Sequence, residues 1–145
     1  EKRLAAIRGR VAAGVPTHLN VEPVIPAITD HEIEAILEAG AAAGAISASY
    51  IPVRLPHEVA PLFREWLDVH YPDRAGKVMA IIQSLRGGRD NDPGFGTRMR
   101  GQGAWADLLR MRFGIACRKL GLNRERIILR SDLFVPPSGA QMRLL

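Results

Sequence analysis

The chain has 145 residues, of which 47% are hydrophobic and 24% charged, and its net charge is +5. This composition is typical of a globular domain and excludes a disordered chain. No apolar run reaches the roughly 18 residues of a membrane-spanning helix, and residues 1–7 open on an amphipathic helix without the apolar segment of a signal peptide. We therefore expect no membrane partner and a cytoplasmic location.

Cysteine and histidine residues are too few and too widely spaced for a metal site. The single cysteine, Cys117, excludes a disulfide framework within this chain, and its helical neighbours predict a small buried residue rather than a reactive thiol. His18, His31 and His70 show no metal-ligand spacing with one another. The sequence therefore predicts no metal ligands in this chain.

The first 25 residues predict a helix followed by a strand. Leu4 and Ile7 share one face of a helix over residues 2–13, which Gly14 ends. Residues 15–25 follow with alternating apolar side chains, as in a strand.

A second helix and a second strand come next. Thr29 and Glu32 have the spacing of a capping box, in which the two side chains bond each other's backbone amides at a helix start. The helix is expected to end near Gly44, and residues 46–55 predict the strand. A strand, a helix and a strand of these lengths are typical of a parallel crossover unit.

Two parallel strands do not form a stable sheet alone, because parallel sheets need both faces covered. The fold class expected is therefore α/β, with residues 1–55 as the last β/α units of a truncated barrel and the missing N-terminal barrel half as partner. Without that partner, the chain should aggregate or dimerise through exposed apolar side chains. These are Leu19, Val21, Ile46 and Ile51.

Residues 56–130 are predicted to form a helical C-terminal extension that packs on the barrel. Two apolar stripes mark its first helices. The first stripe consists of Val59, Leu62, Phe63 and Trp66, and the second of Val78, Met79, Ile82 and Leu85. A last helix is predicted over residues 104–120, and residues 131–145 are predicted to be a flexible tail.

Positive charge is concentrated in the second part of the chain. Residues 1–85 have 8 basic and 10 acidic side chains, whereas residues 86–145 have 12 basic and 5 acidic ones. The glycine-rich loop 86–103 interleaves Phe95 and Met99 with four arginines, which are Arg86, Arg89, Arg98 and Arg100. Such a loop suits a nucleic-acid strand, an anionic substrate or a lid over a barrel mouth. An arginine-rich solvated surface is the alternative.

Three blocks of the sequence, in this order and spacing, resemble the C-terminal region of a bacterial radical SAM family. That family is related to spore photoproduct lyase and described as DNA-repair photolyase-like. The blocks are VIPAITDHEI at residues 24–33, RLPHEVAPLF at residues 54–63, and the loop from RGGR at residues 86–89 to FGTRMRG at residues 95–101. The likeness extends from residue 1 to about residue 121.

The resemblance implies a partial (β/α)6 barrel that binds a [4Fe–4S] cluster and S-adenosylmethionine. In the family, the reduced cluster cleaves S-adenosylmethionine to a 5′-deoxyadenosyl radical, which abstracts a hydrogen from the substrate. A CxxxCxxC loop after the first strand holds the cluster; this chain lacks it, and Cys117 cannot replace three thiolates. The fragment alone is therefore expected to be inactive.

The resemblance also implies which residues contact the cofactor. Family members carry a GxIxGxxE-like pattern at the fifth strand, where it supports the adenine. Its four positions here are Pro23, Ile25, Ala27 and Asp30. Ile25 matches and Asp30 is a shorter acid, whereas Pro23 and Ala27 replace glycines. We expect Ile25, together with the neighbouring Pro26, Ala27 and Asp30, to bind S-adenosylmethionine.

Arg54, at the end of the second predicted strand, is a candidate for binding a carboxylate or a substrate phosphate. Active sites of β/α barrels lie at the carboxyl ends of the strands, and a guanidinium group matches either anion. The alternative for Arg54 is an ion pair with Glu58. For Asp30, the alternative to cofactor binding is an interaction with the helix dipole.

Three functions stay open on the sequence. The first is the C-terminal fragment of a radical SAM enzyme acting in DNA repair. The second is a non-catalytic module in which residues 56–130 bind nucleic acid through the arginine-rich loop. The third is a different α/β barrel enzyme that shares only the crossover pattern, since fold kinship does not fix a substrate.

Overall fold

The computed structural model describes residues 1–125 together with Ile128, Asp132 and Phe134. The predicted tail, residues 131–145, lies outside this described part apart from Asp132 and Phe134. The described chain is mixed α/β, with five helices and one two-stranded parallel sheet.

The first four elements follow the predicted order. They are α1 (Lys2–Ala12), β1 (His18–Val24), α2 (Ile33–Ala42) and β2 (Ser47–Pro52). Both strands are shorter than predicted. β2 ends at Pro52, which has no amide hydrogen to continue the ladder.

The two strands pair in parallel, as the crossover pattern predicted. The register runs from His18 opposite Ser47 to Val21 opposite Tyr50, and it then shifts so that Val24 lies opposite Pro52. The irregular stretch gives β1 one more residue than β2 at the carboxyl end of the sheet.

The predicted capping box is wrong. Oγ1 of Thr29 accepts a hydrogen bond from the amide of Ile25 at 2.9 Å and makes no bond to the following helix. The amide of Thr29 in turn donates to the carbonyl of Ile25 at 2.9 Å. The hydroxyl thus closes the turn after β1, and a short 3-10 segment, Asp30–Glu32, leads into α2.

One face of the sheet packs against α2 and against α5 (Ala104–Leu120). Val21 and Ala48 share a core with Leu37 of α2 and Leu109 of α5. Val21 is only 6% exposed, so the prediction that it lies exposed without further partners is wrong, because it is part of the core that the sheet shares with α2 and α5. Ile46, which is 49% exposed, agrees with the prediction.

A second core lies between the carboxyl end of the sheet and two helices, α3 (Val59–His70) and α4 (Pro72–Leu85). Leu67, Val78 and Ile82 are fully buried there, next to Val53 and Leu55. Pro72 begins α4, where a missing amide removes no helical hydrogen bond.

The first predicted apolar stripe is not the buried face of α3. Leu62 is 60% exposed, Val59 40% and Trp66 38%, whereas Leu67 is buried. Part of the stripe lines a cleft at the carboxyl end of the sheet. None of the helices in the described part has the length and apolar character to cross a bilayer.

Candidate functional site

An apolar cleft of about 380 Å³ lies where the two strands end. Its lining comes from the segment after β1, the segment after β2 and the start of α3. These residues are Pro23, Ile25, Val53, Arg54, Leu55, Val59, Phe63 and Trp66. Phe63 and Trp66 stack with 5.7 Å between ring centroids, so the cleft offers a flat aromatic wall. Its size and lining suit a planar apolar group.

The loop after β1 brings one predicted cofactor residue into this cleft. Ile25 is half-buried and lines it, whereas the next residue of the loop, Pro26, is fully buried and does not line it. Ala27 has a φ of +58°, in the left-handed region that favours glycine. Its carbonyl accepts a hydrogen bond from Nη1 of Arg74 at 3.2 Å, which ties the loop to α4.

Asp30 is anchored through its backbone and does not line the cleft. Nη2 of Arg112 donates to the carbonyl of Asp30 at 3.0 Å. The same guanidinium donates to both carboxylate oxygens of Glu34, at 2.9 Å from Nε and 2.7 Å from Nη2. These hydrogen bonds lower the pKa of Glu34 below its ordinary value, and they join α5 to the start of α2.

Arg54 lies between the apolar cleft and a second cleft, and it lines both. The second cleft is formed by Glu22, Pro23, Ile51, Pro52, Arg54 and Met99. Nη1 of Arg54 lies 3.8 Å from Sδ of Met99, a weak contact. Among the described residues Arg54 forms no ion pair, so the alternative pairing with Glu58 is not formed.

Arg86 is buried and holds the base of the 86–103 loop. It is 2% exposed, and it donates from Nη1 to the carbonyl of Arg98 at 2.7 Å and from Nη2 to the carbonyl of Val53 at 3.2 Å. Burial is the main cause that lowers the pKa of Arg86. The location favours a structural role over the direct ligand contact that the sequence predicted.

Two acidic side chains of the 86–103 loop accept hydrogen bonds. One bonds to α3 and the other to residues within the loop. Nη2 of Arg64 donates to both oxygens of Asp90, at 2.8 and 2.9 Å. Asp92 accepts hydrogen bonds from the hydroxyl of Thr97 and the amide of Gly94. These bonds lower the pKa of both carboxyl groups. The loop is therefore a series of turns held by hydrogen bonds, although it contains no helix or strand.

The tip of the loop presents an aromatic ring and cations to the solvent. Phe95 is 86% exposed, and the guanidinium of Arg98 lies 5.0 Å from the centroid of its ring. Arg89 and Arg100 are also exposed. The four predicted arginines are thus split, with Arg86 at the base and the other three toward the surface.

Cys117 is buried, as predicted. It is 4% exposed, and burial raises the pKa of its thiol. The amide nitrogen of the Asn123 side chain lies 3.6 Å from its sulfur. No group of three potential metal ligands occurs within the described residues.

The sequence interpretation missed a polar network on the face of the sheet opposite the helices. Nδ1 and Nε2 of His18 lie 2.8 Å from the hydroxyls of Ser47 and Ser49, respectively. The Ser49 hydroxyl donates to Oδ1 of Asn20 at 3.0 Å, so it accepts from Nε2 of His18. With neutral imidazole, the Ser47 hydroxyl donates to Nδ1. The alternation of His18, Asn20 and Glu22 along β1 signals a polar face, but their partners depend on strand register.

A second missed residue, Asn123, pairs with the outer edge of β2. Its carboxamide accepts from the amide of Ala48 at 2.8 Å and donates to the carbonyl of Ala48 at 2.9 Å. The Asn123 amide donates to the carbonyl of Ile46 at 3.1 Å. Asn123 adopts the left-handed φ of +59° that asparagine tolerates. One side chain thus forms the pair of hydrogen bonds that the backbone of a neighbouring strand would form with Ala48.

The outer edge of β1, by contrast, has no strand partner in the described part of the chain. A groove between this edge, α1 and α2 is lined by apolar side chains that include Leu4, Ile7 and Ile36. Comparison with protein-family models, curated proteins and solved structures gives no match for this chain.

Proposed function

We propose that this chain is the C-terminal part of a radical SAM enzyme of the photoproduct-lyase-like kind, with β1 and β2 as the last strands of a partial (β/α)6 barrel. Ala27 is the observation that carries the proposal. The family pattern has glycine at this position, and the backbone of Ala27 has the left-handed φ of +58° that glycine favours.

The apolar cleft that Ile25 lines supports the assignment of a cofactor site. Ile25 lines it with the aromatic wall of Phe63 and Trp66, which suits the flat adenine of S-adenosylmethionine. When bound and reduced, this cofactor supplies the radical that abstracts hydrogen from a substrate. Ile25 would hold the adenine, and the buried Pro26, the next residue, would fix the loop.

The iron–sulfur cluster does not fit the residues of this chain. Cys117 lies on the buried side of α5 and the pKa of its thiol is raised, so it provides neither a thiolate nor an accessible ligand. Cluster ligation, and with it the reaction, therefore belongs to the proposed N-terminal barrel half.

The two edges of the sheet differ, as expected if β2 is the last strand of the barrel and β1 is its neighbour. Asn123 occupies the outer edge of β2, whereas β1 offers an unpaired edge beside an apolar groove. The open polar face around His18 would then face the barrel interior. An earlier strand would pair with β1.

The coding sequence ahead of Glu1 provides the first test. A CxxxCxxC motif is expected about 150 residues earlier, because each β/α step takes roughly 30 residues or more. The complete protein, reconstituted anaerobically with iron and sulfide, should release 5′-deoxyadenosine from S-adenosylmethionine under reducing conditions. Absence of three closely spaced cysteines upstream would overturn the proposal.

Ile25→Asp tests the adenine contact in that complete protein. Placing a charge against the ring should weaken S-adenosylmethionine binding at least about tenfold, since a charged group would be forced into an apolar cleft. The matched control is Ile115→Asp on the exposed side of α5, where the same change should leave affinity as it is. Equal affinities in the two variants would contradict a role for Ile25.

Nucleic-acid binding by the loop tip is a second candidate, favoured by the exposed Phe95 and the stacked Arg98. Affinity for a single-stranded oligonucleotide should then fall with salt and with Phe95→Ala. An affinity that does not depend on salt would exclude phosphate contacts by the loop.

A further inference from the structure

Two arginines, Arg54 and Arg86, lie where β2 ends and the 86–103 loop folds back. Arg86 donates to the carbonyls of Val53, which precedes Arg54, and of Arg98. Arg54 contacts Met99 of the same loop. The charges of Arg54 and Arg86 act on each other, whereas the guanidinium of Arg98 lies over the ring of Phe95 at the loop tip.

No carboxylate forms an ion pair with Arg54 or Arg86. Among the described residues, neither forms a salt bridge within 4.0 Å, and the Nε atoms of both are enclosed without a hydrogen-bond partner. Asp92 acts electrostatically on Arg86 without contacting it, and it accepts hydrogen bonds from Thr97 and Gly94.

Arg86 is a fixed positive charge close to Arg54. It is 2% exposed, and its guanidinium is held by the carbonyls of Val53 and Arg98. Burial lowers the pKa of Arg86, the charge of Asp92 raises it, and the charge of Arg54 lowers it. An anion bound to Arg54 would offset the repulsion between the two guanidinium groups.

The second cleft gives such a ligand access. It has a volume of about 380 Å³, and Arg54 and Met99 form one wall. Glu22 lines the same cleft without forming an ion pair in the described part of the chain. An anion held by Arg54 would experience the positive charge of Arg86 and the negative charge of Glu22.

We propose that this cleft binds a phosphate group, with Arg54 donating to its oxygens and Arg86 supplying fixed positive charge. Guanidinium groups match the geometry of phosphate, and a doubly charged anion offsets two arginine charges better than a carboxylate does. The site requires neither S-adenosylmethionine nor a cluster, so it stands apart from the proposed radical chemistry. The phosphate can belong to a small molecule or to a nucleic-acid backbone.

Inorganic phosphate is the first probe. At constant ionic strength, it should raise the Tm of the chain in a concentration-dependent way and broaden the phosphorus NMR line, whereas acetate should do so less. Arg54→Gln should weaken phosphate at least about tenfold, as expected for the loss of a charge-assisted contact. Arg118→Gln, on the exposed part of α5, is the matched control and should bind as the unchanged chain does.

Glu22→Gln should tighten phosphate binding, because it removes the one negative charge that lines the cleft. A destabilised protein would bind phosphate more weakly, not more tightly. Tighter binding in Glu22→Gln therefore tests the site even if Arg54→Gln fails to fold. Equal phosphate affinity in Arg54→Gln, Arg118→Gln and the unchanged chain would overturn the proposal. So would an unchanged affinity in Glu22→Gln.

Competition identifies the source of the phosphate. A single-stranded oligonucleotide that displaces inorganic phosphate, and whose affinity falls in Arg54→Gln, indicates a nucleic-acid backbone. Displacement by a nucleoside monophosphate without displacement by the oligonucleotide indicates a small phosphorylated molecule. Oligonucleotide binding that is lost in Phe95→Ala and unchanged in Arg54→Gln would place nucleic acid at the loop tip instead. The proposal for the cleft would then stand only if Arg54→Gln still weakens the binding of inorganic phosphate.

Discussion

The two faces of the small sheet are completed in different ways. One face is apolar, with Val21 and Ala48 buried against α2 and α5. The opposite face is polar, with His18, Ser49 and Asn20 joined by hydrogen bonds. A parallel sheet usually has helices on both faces. Here side-chain hydrogen bonds, which water can partly replace, take the place of the second apolar layer.

The largest expected effect lies on the covered face. Leu37 is fully buried between the sheet and α5, so Leu37→Ala should lower the free energy of unfolding by about 3 kcal/mol through lost burial and a cavity. Ile46→Ala, at a position that is 49% exposed, is the control and should change it by less than about 0.5 kcal/mol. Urea denaturation measures both; similar values would show that the covered face is not the main core.

The second largest effect is expected at the outer edge of β2, where the side chain of Asn123 bonds to the backbone. Asn123→Gly keeps the left-handed backbone but removes the carboxamide that bonds to Ala48. The free energy of unfolding should fall by about 1–2 kcal/mol, because a backbone amide and carbonyl lose their partners. Faster hydrogen exchange at the amide of Ala48 should accompany the loss. An unchanged exchange rate would mean that water or another group replaces the side chain.

The ion pair between α2 and α5 should contribute less and should depend on pH. Hydrogen bonds from Arg112 lower the pKa of Glu34, so its contribution is present above the unfolded pKa near 4.5 and is lost as pH falls through the folded pKa. Both side chains are partly exposed, so Glu34→Gln should cost about 0.5 kcal/mol at neutral pH. The difference between the two proteins should shrink as the pH falls below 4.5. A difference that stays constant as the carboxyl group is protonated would point to packing rather than charge.

The smallest effect is expected on the open face. Ser49→Ala removes the hydroxyl between His18 and Asn20, but solvent can reach both remaining groups. The loss should be at most about 0.5 kcal/mol, at the low end for a hydrogen bond. A loss as large as that of Leu37→Ala would show that both faces contribute equally to the core.

Local patterns were enough to predict the first part of the fold. The helical face of Leu4 and Ile7, the alternation in β1 and the crossover length predicted the α-β-α-β order and the parallel pairing. They failed where a side chain had two possible partners. Thr29 has the spacing of a helix cap, yet its hydroxyl closes the turn to Ile25 because the chain reverses there first.

The candidate site was predictable only in part. Ile25 and Arg54 were expected at strand ends, and both lie at the carboxyl end of the sheet. The burial of Arg86 was not predictable, since an arginine beside glycines looks the same in sequence whether it faces solvent or carbonyl groups. His18 and Asn123 act through partners that lie 29 and 75 positions away in sequence, which only the folded register brings together.

The pairing of Asn123 with β2 also limits how copies of this chain can associate. Strand-to-strand self-association needs a free edge on each molecule, and in the described part the first half of β2 is already occupied. Of the two described strands, β1 is then the one whose whole outer edge is free to pair with a second β1, and once two copies have joined, neither described sheet has a full-length free edge left. Association through the strands should therefore stop at a pair, whereas a chain with both edges free could extend into a fibre.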